Sequence, residues 1–161
     1  MIMKKLILSA LLLSCAYLVK AQSHSTKGSD YETALGVKIW DGAGITLKHF
    51  LTDRNAVEGI GYFYSHGFRL TGLYEIHGDI TGASGLKWYV GPGAHLGFYN
   101  DKYYDANQSH VVLGIDGVLG LDYKFNTAPI NLSLDWQPSF EFASGLGFNG
   151  SWGGLGIRYT F

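Results

Sequence analysis

The chain has 161 residues, with 12 Lys and Arg against 13 Asp and Glu and a formal net charge of −1. Charged residues make up 16% of it, below the roughly 25% of an ordinary soluble domain, while 23 glycines and 15% aromatics run high. The length leaves room for one domain rather than two, and the charge balance offers no basic field for nucleic acid.

In chain order, the first segment reads as a secretory signal: Lys4 and Lys5, an apolar run from Leu6 to Val19, then Val19-Lys20-Ala21 as a small-residue exit. Cleavage is expected after Ala21, giving a signal peptide at 1–21 and a single domain at 22–161. Two rival readings exist. Leu12-Leu13-Ser14-Cys15 resembles a lipobox with Cys15 as the acylated residue, although the apolar run continues past it. A membrane-spanning anchor would need a longer run. Without the leader the chain keeps nine Lys and Arg against thirteen Asp and Glu, a net charge of −4, and no cysteine, since Cys15 is the only one. Disulfides and thiolate chemistry are thereby excluded from 22–161.

No later stretch is apolar for the length of a membrane-crossing helix. If 22–161 crosses a bilayer, it must do so as a closed barrel, which alone pairs every backbone group away from water. Strands are expected from Glu32 to Trp40, from Gly44 to Leu51 and from Ala56 to Tyr64. The third is ambiguous, because Glu58, Ile60, Tyr62 and Tyr64 oppose Val57, Gly59, Gly61 and Phe63, and a bulge would account for it. Next, Phe68, Leu70, Tyr74 and Ile76 alternate with Arg69, Thr71, Glu75 and His77. Leu86, Trp88, Val90, Ala94, Leu96 and Phe98 then alternate with Lys87, Tyr89, Gly91, Gly93, His95, Gly97 and Tyr99. A hairpin follows. Leu113, Ile115, Leu119, Leu121, Tyr123 and Phe125 oppose Gly114, Asp116, Gly120, Asp122 and Lys124, and Asn126-Thr127-Ala128-Pro129 reverses the chain. From Ile130 to Phe142, period two runs without a fault, and Leu155, Ile157, Tyr159 and Phe161 oppose Gly154, Gly156, Arg158 and Thr160.

The expected fold is therefore all-β, an eight-stranded antiparallel up-and-down transmembrane β-barrel. Short turns near Thr52 to Asn55, Gly78 to Gly85 and Asn126 to Pro129 would face the periplasm. Asp41 to Ala43, Ser65 to His66, Asn100 to His110 and Ala143 to Gly150 would face outward, and only the third of these is of real size.

Which row faces in decides the class. A soluble lipocalin-like barrel hides its bulky apolar row and wets the outside with Lys and Glu. Here the polar row is rich in Gly, Ser, Thr and Asn, which suit the cramped inside of eight strands. The bulky row carries Trp40 or Ile39, Trp88, Phe98, Tyr123, Phe125, Trp136, Phe142, Trp152, Tyr159 and Phe161, many near strand ends, as in the aromatic girdles of lipid-exposed barrels. On this register Lys38, Lys48, Arg69, Lys87, Lys124 and Arg158 face inward with Glu58, Glu75, Asp116, Asp122, Asp135 and Glu141, six against six. A paired interior network that plugs the lumen is expected.

The six histidines, His24, His49, His66, His77, His95 and His110, form no His-x-x-x-His or Glu-x-x-His unit that would suit a metal or catalytic site. His77 and His95, near Glu75, read as members of the interior network. Ser65, His66, Asp101, Asp105, Ser109 and His110 would lie at the outer rim, where a lipid-modifying enzyme resembling the palmitoyltransferase type would keep its His, Asp and Ser. Asp101 and Asp105 with Lys102 between them make a weak cation site. No catalytic residue, cofactor or metal is expected.

The end of the chain carries a resemblance. Gly156, Tyr159 and Phe161 look like the terminal signal by which barrel-assembly machinery recognises its substrates, although the polar residue usual at the position of Gly154 is missing. With the leader and eight strands, 22–161 resembles the small outer-membrane barrels of the OmpX and OmpA-membrane-domain type. That resemblance implies an outer-membrane location, contact with lipid and lipopolysaccharide, delivery by the assembly machinery, a monomer, and a structural or interaction-mediating role without catalysis. A narrow channel, a rim-sited lipid-modifying enzyme and a soluble lipocalin-like binder are the alternatives.

Overall fold

Strands with bulky apolar residues at every second position can turn one whole face of a sheet toward one medium. A computed structural model describes residues 31–65, 67–99, 111–142 and 147–161, and every regular element in it is a strand. The expected leader, the expected outer loop from Asn100 to His110, and His24 and His66 lie outside the described residues.

The elements are β1 (Thr33–Trp40), β2 (Gly42–Phe50), β3 (Asn55–Tyr64), β4 (Gly67–Asp79), β5 (Leu86–Tyr99), β6 (Val111–Lys124), β7 (Ile130–Trp136), β8 (Ser139–Glu141), β9 (Gly147–Asn149) and β10 (Gly153–Thr160). Consecutive neighbours pair antiparallel through β6, and β1 pairs with β10, so the sheet closes on itself. β7 and β8 both pair with β6 in one unbroken register and form a single stave of the wall, interrupted at Gln137-Pro138 where proline has no N–H to give. β9 and β10 make the last stave, against β8 and β7. Ten strands thus build an eight-stave, up-and-down barrel.

The stagger follows from the register. Stepping between partners from Arg158 to Gly36, Thr46, Ile60, Thr71, His95, Gly114, Glu141 and Gly147 returns to the starting stave eleven positions from the start. With about 3.3 Å per residue and about 4.8 Å between strands, this tilts the staves by about 43°. On β5 the outward Trp88 and Phe98 are ten positions apart, an axial height of about 24 Å at that tilt.

Three expectations need correction. The third strand has no bulge: β3 keeps an unbroken register with both β2 and β4, and its parity turns Glu58, Ile60 and Tyr62 inward. The stretch expected as a loop from Ala143 to Gly150 contains β9. Trp152 does not belong to the outer row. Two residues separate β7 from β8 but three, Gly150 to Trp152, separate β9 from β10, and the extra residue shifts parity so that Trp152 follows the inward row of Gly154, Gly156 and Arg158. Its ring meets Tyr62 edge-on at 5.7 Å between centroids.

The seam between first and last staves is tight. A Cβ on Gly36 would collide with the backbone carbonyl of Ile157 and the Cα of Arg158, whereas one on the outward Gly59 meets nothing within 4 Å. Gly36→Val is expected to destabilise the closed barrel by about 3 kcal/mol or more. The fraction of folded, fast-migrating band on unboiled gels should fall accordingly, while Gly59→Ala should migrate as the parent does.

Candidate functional site

The staves place two unlike surfaces back to back. Outward, Leu35, Val37, Ile45, Leu47, Leu70, Val90, Leu113, Ile115, Leu119, Leu134, Leu155 and Ile157 are all exposed. Aromatic rings gather toward both ends of this band. Trp88, Tyr123, Phe125, Tyr159 and Phe161 stand at the lower end, the one that carries Tyr31, and Trp40, Phe63, Phe68, Phe98, Phe140, Phe142 and Phe148 toward the upper. Inward lie nearly all the charges. Lys38, Lys48, Glu58, Glu75 and Arg158 are at most 2% exposed, so each needs a partner within the lumen.

The lower lumen is organised by two cations. Arg158 donates through Nη2 to Glu58 across the barrel, through Nε to Thr46 at 3.2 Å, and through Nη1 to Asn131 at 3.1 Å and Ser133 at 2.7 Å. Lys48 Nζ stands 2.8 Å from Glu75, 3.2 Å from Asp122 and 3.7 Å from Glu58, and 4.2 Å above the Tyr89 ring. Asp122 also accepts from Asn131 and from the Tyr31 hydroxyl at 3.2 Å. His77 stacks on Tyr89 and puts Nε2 2.9 Å from Glu75 Oε2.

Above this, Lys38 donates to Asp135 at 2.6 Å, which also accepts from the Tyr89 hydroxyl at 2.6 Å and from Gln137 at 3.0 Å. Beside that pair, Ile60, Tyr62, Leu73, Tyr89 and Val118 pack into a buried apolar cluster. The upper lumen holds a second network. Arg69 donates to Asp116 and to Thr71, and its guanidinium lies 4.3 Å from the Trp152 ring. His95 Nδ1 is 3.0 Å from Asp116 Oδ2, and Nε2 is 3.8 Å from Glu141 Oε1.

Of the twelve interior charges expected from the sequence, ten are buried here in this way: Lys38, Lys48, Glu58, Arg69, Glu75, Asp116, Asp122, Asp135, Glu141 and Arg158. Lys87 and Lys124 stand apart. Lys87 pairs with the exposed Asp79 at the lower rim, and Lys124 is held by the carbonyls of Phe125 and Ala128 at 2.6 and 2.8 Å. Strand ends are close to water, which draws long amines out of the lumen. The buried count is therefore four cations to six carboxylates, not six to six. Sequence reasoning did not single out Tyr31, Thr46 and Gln137 as partners. Thr46 and Gln137 share the parity of Lys48 and Asp135, the signal that points to them, whereas Tyr31 lies just before β1.

Gly156 faces the lumen, while Tyr159 and Phe161 are exposed with rings 5.1 Å apart. Of the rim residues considered for chemistry, Ser65 is exposed at the β3–β4 turn, and Asp101, Asp105, Ser109 and His110 lie outside the described residues. Among the described residues, no group of three or more His, Cys, Asp or Glu side chains could hold a metal ion. The chain matches no protein-family model, no curated protein and no solved structure.

Removing one member of a buried pair strands the other. Arg158→Met leaves Glu58 without its strongest donor and is expected to destabilise the barrel by about 3–5 kcal/mol. Adding Glu58→Gln should restore much of that, and urea unfolding of the parent, both single variants and the double variant measures the coupling as a cycle.

Proposed function

We propose that this chain is an integral outer-membrane β-barrel protein with a plugged polar interior, serving a structural or interaction-mediating role without catalysis. The observation that carries this reading is the inverted polarity: an apolar outer band about 24 Å high with aromatic rings toward both ends, around a lumen of buried ion pairs. Water-soluble barrels need the reverse, because an exposed apolar wall of this extent associates in water. Among the described residues no helix is long and apolar enough to cross a membrane. Strands in a closed wall meet the same demand, since closure lets each stave pair its backbone with the next.

The expected partners follow from the surfaces. Lipid chains fit the band, lipopolysaccharide would meet the upper rim, and the barrel-assembly machinery would receive the chain through Gly156, Tyr159 and Phe161 after export and cleavage behind Ala21. A monomer suffices, because a closed wall leaves no seam for a second copy to complete. A channel is disfavoured by the Lys38–Asp135 pair and the apolar cluster beside it, which together occupy the middle of the lumen. The same pairing keeps the buried acids and bases engaged with one another, which weighs against a reacting group inside.

Fractionation of cells should recover the protein with outer membranes, and unboiled samples should migrate faster than boiled ones. Recovery in the soluble periplasmic fraction without detergent would overturn the assignment. In planar bilayers, the purified barrel is expected to give no discrete conductance steps.

A further inference from the structure

An asparagine followed by glycine can close on itself, because glycine carries no side chain to obstruct the approach of its own amide nitrogen to the asparagine side chain. The chain has one such pair, Asn149-Gly150. Asn149 ends β9, and Gly150 and Ser151 are exposed in the connection that leads to β10. Other asparagines are held in place. Asn131 is buried, donates from Nδ2 to Asp122 and to the Tyr123 carbonyl, and accepts from Arg158. Asn55 opens β3, is followed by Ala56, and keeps its register with Ile76.

Three features of the fold act on this pair. The Ser151 N–H donates to Asn149 Oδ1 at 2.9 Å. Negative charge gathers on that oxygen when a nucleophile adds to Cγ, and a donor at this distance stabilises the charge as it develops. The Gly150 N–H makes no hydrogen bond among the described residues, so nothing withholds it from a base in solvent. The bend that carries both groups is fixed by its neighbours: the Gly150 carbonyl accepts from Trp136 Nε1, the Ser151 carbonyl from Trp40 Nε1 and the Trp152 carbonyl from the Gln137 N–H, each at 2.8 Å. Asp116-Gly117 makes the contrast. There the acid is buried, and the glycine N–H is engaged with the Pro138 carbonyl at 2.8 Å.

We propose that Asn149 is a site of spontaneous amide-to-acid conversion that the folded barrel accelerates. The Gly150 nitrogen gives its proton to solvent base and attacks Asn149 Cγ, so that a new C–N bond closes a cyclic imide. The Cγ–Nδ2 bond breaks, and Nδ2 takes a proton from water and leaves as ammonia. Water then opens the imide. Opening at Cγ leaves aspartate, and opening at the main-chain carbonyl leaves isoaspartate, whose main chain runs through Cγ. The balance is one water in and one ammonia out, with no oxidant or reductant. Either product sets a new carboxylate beside the exposed Gly150 and Ser151. Isoaspartate also lengthens the main chain by one carbon at the residue paired with Ser139, in a strand of only three residues. Old copies of the barrel thus come to differ from new ones at this end of the last stave. The inference needs the folded β9 connection and not the membrane.

The barrel refolded in detergent micelles and the same chain held unfolded in guanidinium chloride are kept side by side in warm, mildly alkaline buffer, and peptide mapping by mass spectrometry follows the mass gain at each asparagine. One hydrogen bond of ordinary net strength on Oδ1 corresponds to about a three- to tenfold change in rate. Asn149 should convert faster by that factor in the folded barrel, while Asn131 stays unchanged there. Ser151→Ala keeps the N–H and should keep the rate. Ser151→Pro removes the N–H and should bring the folded rate down to the unfolded one. Equal or slower conversion in the folded parent overturns the proposal, and needs no variant to fold. So does a Ser151→Pro barrel that keeps the parent's rate. A chain that folds in buffer without detergent would overturn the membrane reading and leave this test standing.

Discussion

Eight staves enclose so little space that each large inward side chain needs an absent one beside it, and the rest of the structure depends on that constraint. The glycines supply the absences. The Tyr89 ring lies where a Cβ on Gly120 would be, the His95 imidazole where one on Gly114 would be, and the Lys38 stem 2.9 Å from the place of one on Gly154. Arg158 and Ser133 crowd Gly156 in the same manner. Long polar side chains on one stave thus lie across bare backbone on the next, and their charged ends meet carboxylates two or three staves away. A glycine-rich composition and a buried ion network are two aspects of one packing solution.

That network should not be credited with most of the stability. Taking charges out of water roughly offsets what their pairing returns, so a buried pair holds position more than it adds free energy. Closure of the backbone ladder and the apolar outer wall carry the fold. The pairs instead specify which residues face each other across the lumen, since a slip of one residue would send Arg158, Glu58 and Lys48 to the outer face and Leu and Ile inward. Polar specificity inside and apolar area outside divide the work that a soluble core does with a single set of side chains.

Much of this was legible in period two alone. The inward and outward rows of β4, β5, β6 and β7 follow directly from alternation, and an even number of such strands with short turns implies closure. What alternation could not convey is where parity changes or loses meaning. The extra residue between β9 and β10 turns Trp152 inward, although its bulk argues for the outer row. Ile60, Tyr62, Leu73 and Val118 are apolar yet face the lumen, so a rule that equates greasy with outward fails at mid-height. Lys87 and Lys124 have the right parity but sit at a rim, where parity no longer decides whether an amine is dry. Each miss comes from a tertiary circumstance, a bulge, a packing level or a strand end, that a linear pattern does not encode.

The same division bears on what the protein can recognise. A wall given over to apolar side chains and a lumen filled by its own charges leave only the two rims for selective contact, and the rims are unequal. The lower one closes through short turns such as Leu51 to Arg54, pinned by backbone bonds from Leu51 and Thr52 to Asn55. The upper one is slanted, because the stagger carries β5 and β6, the longest strands at 14 residues each, well above the single-residue turn at Asp41 that joins β1 to β2. On the proposed reading, specificity belongs to that raised side, where the wall extends beyond the lumen's own charge network.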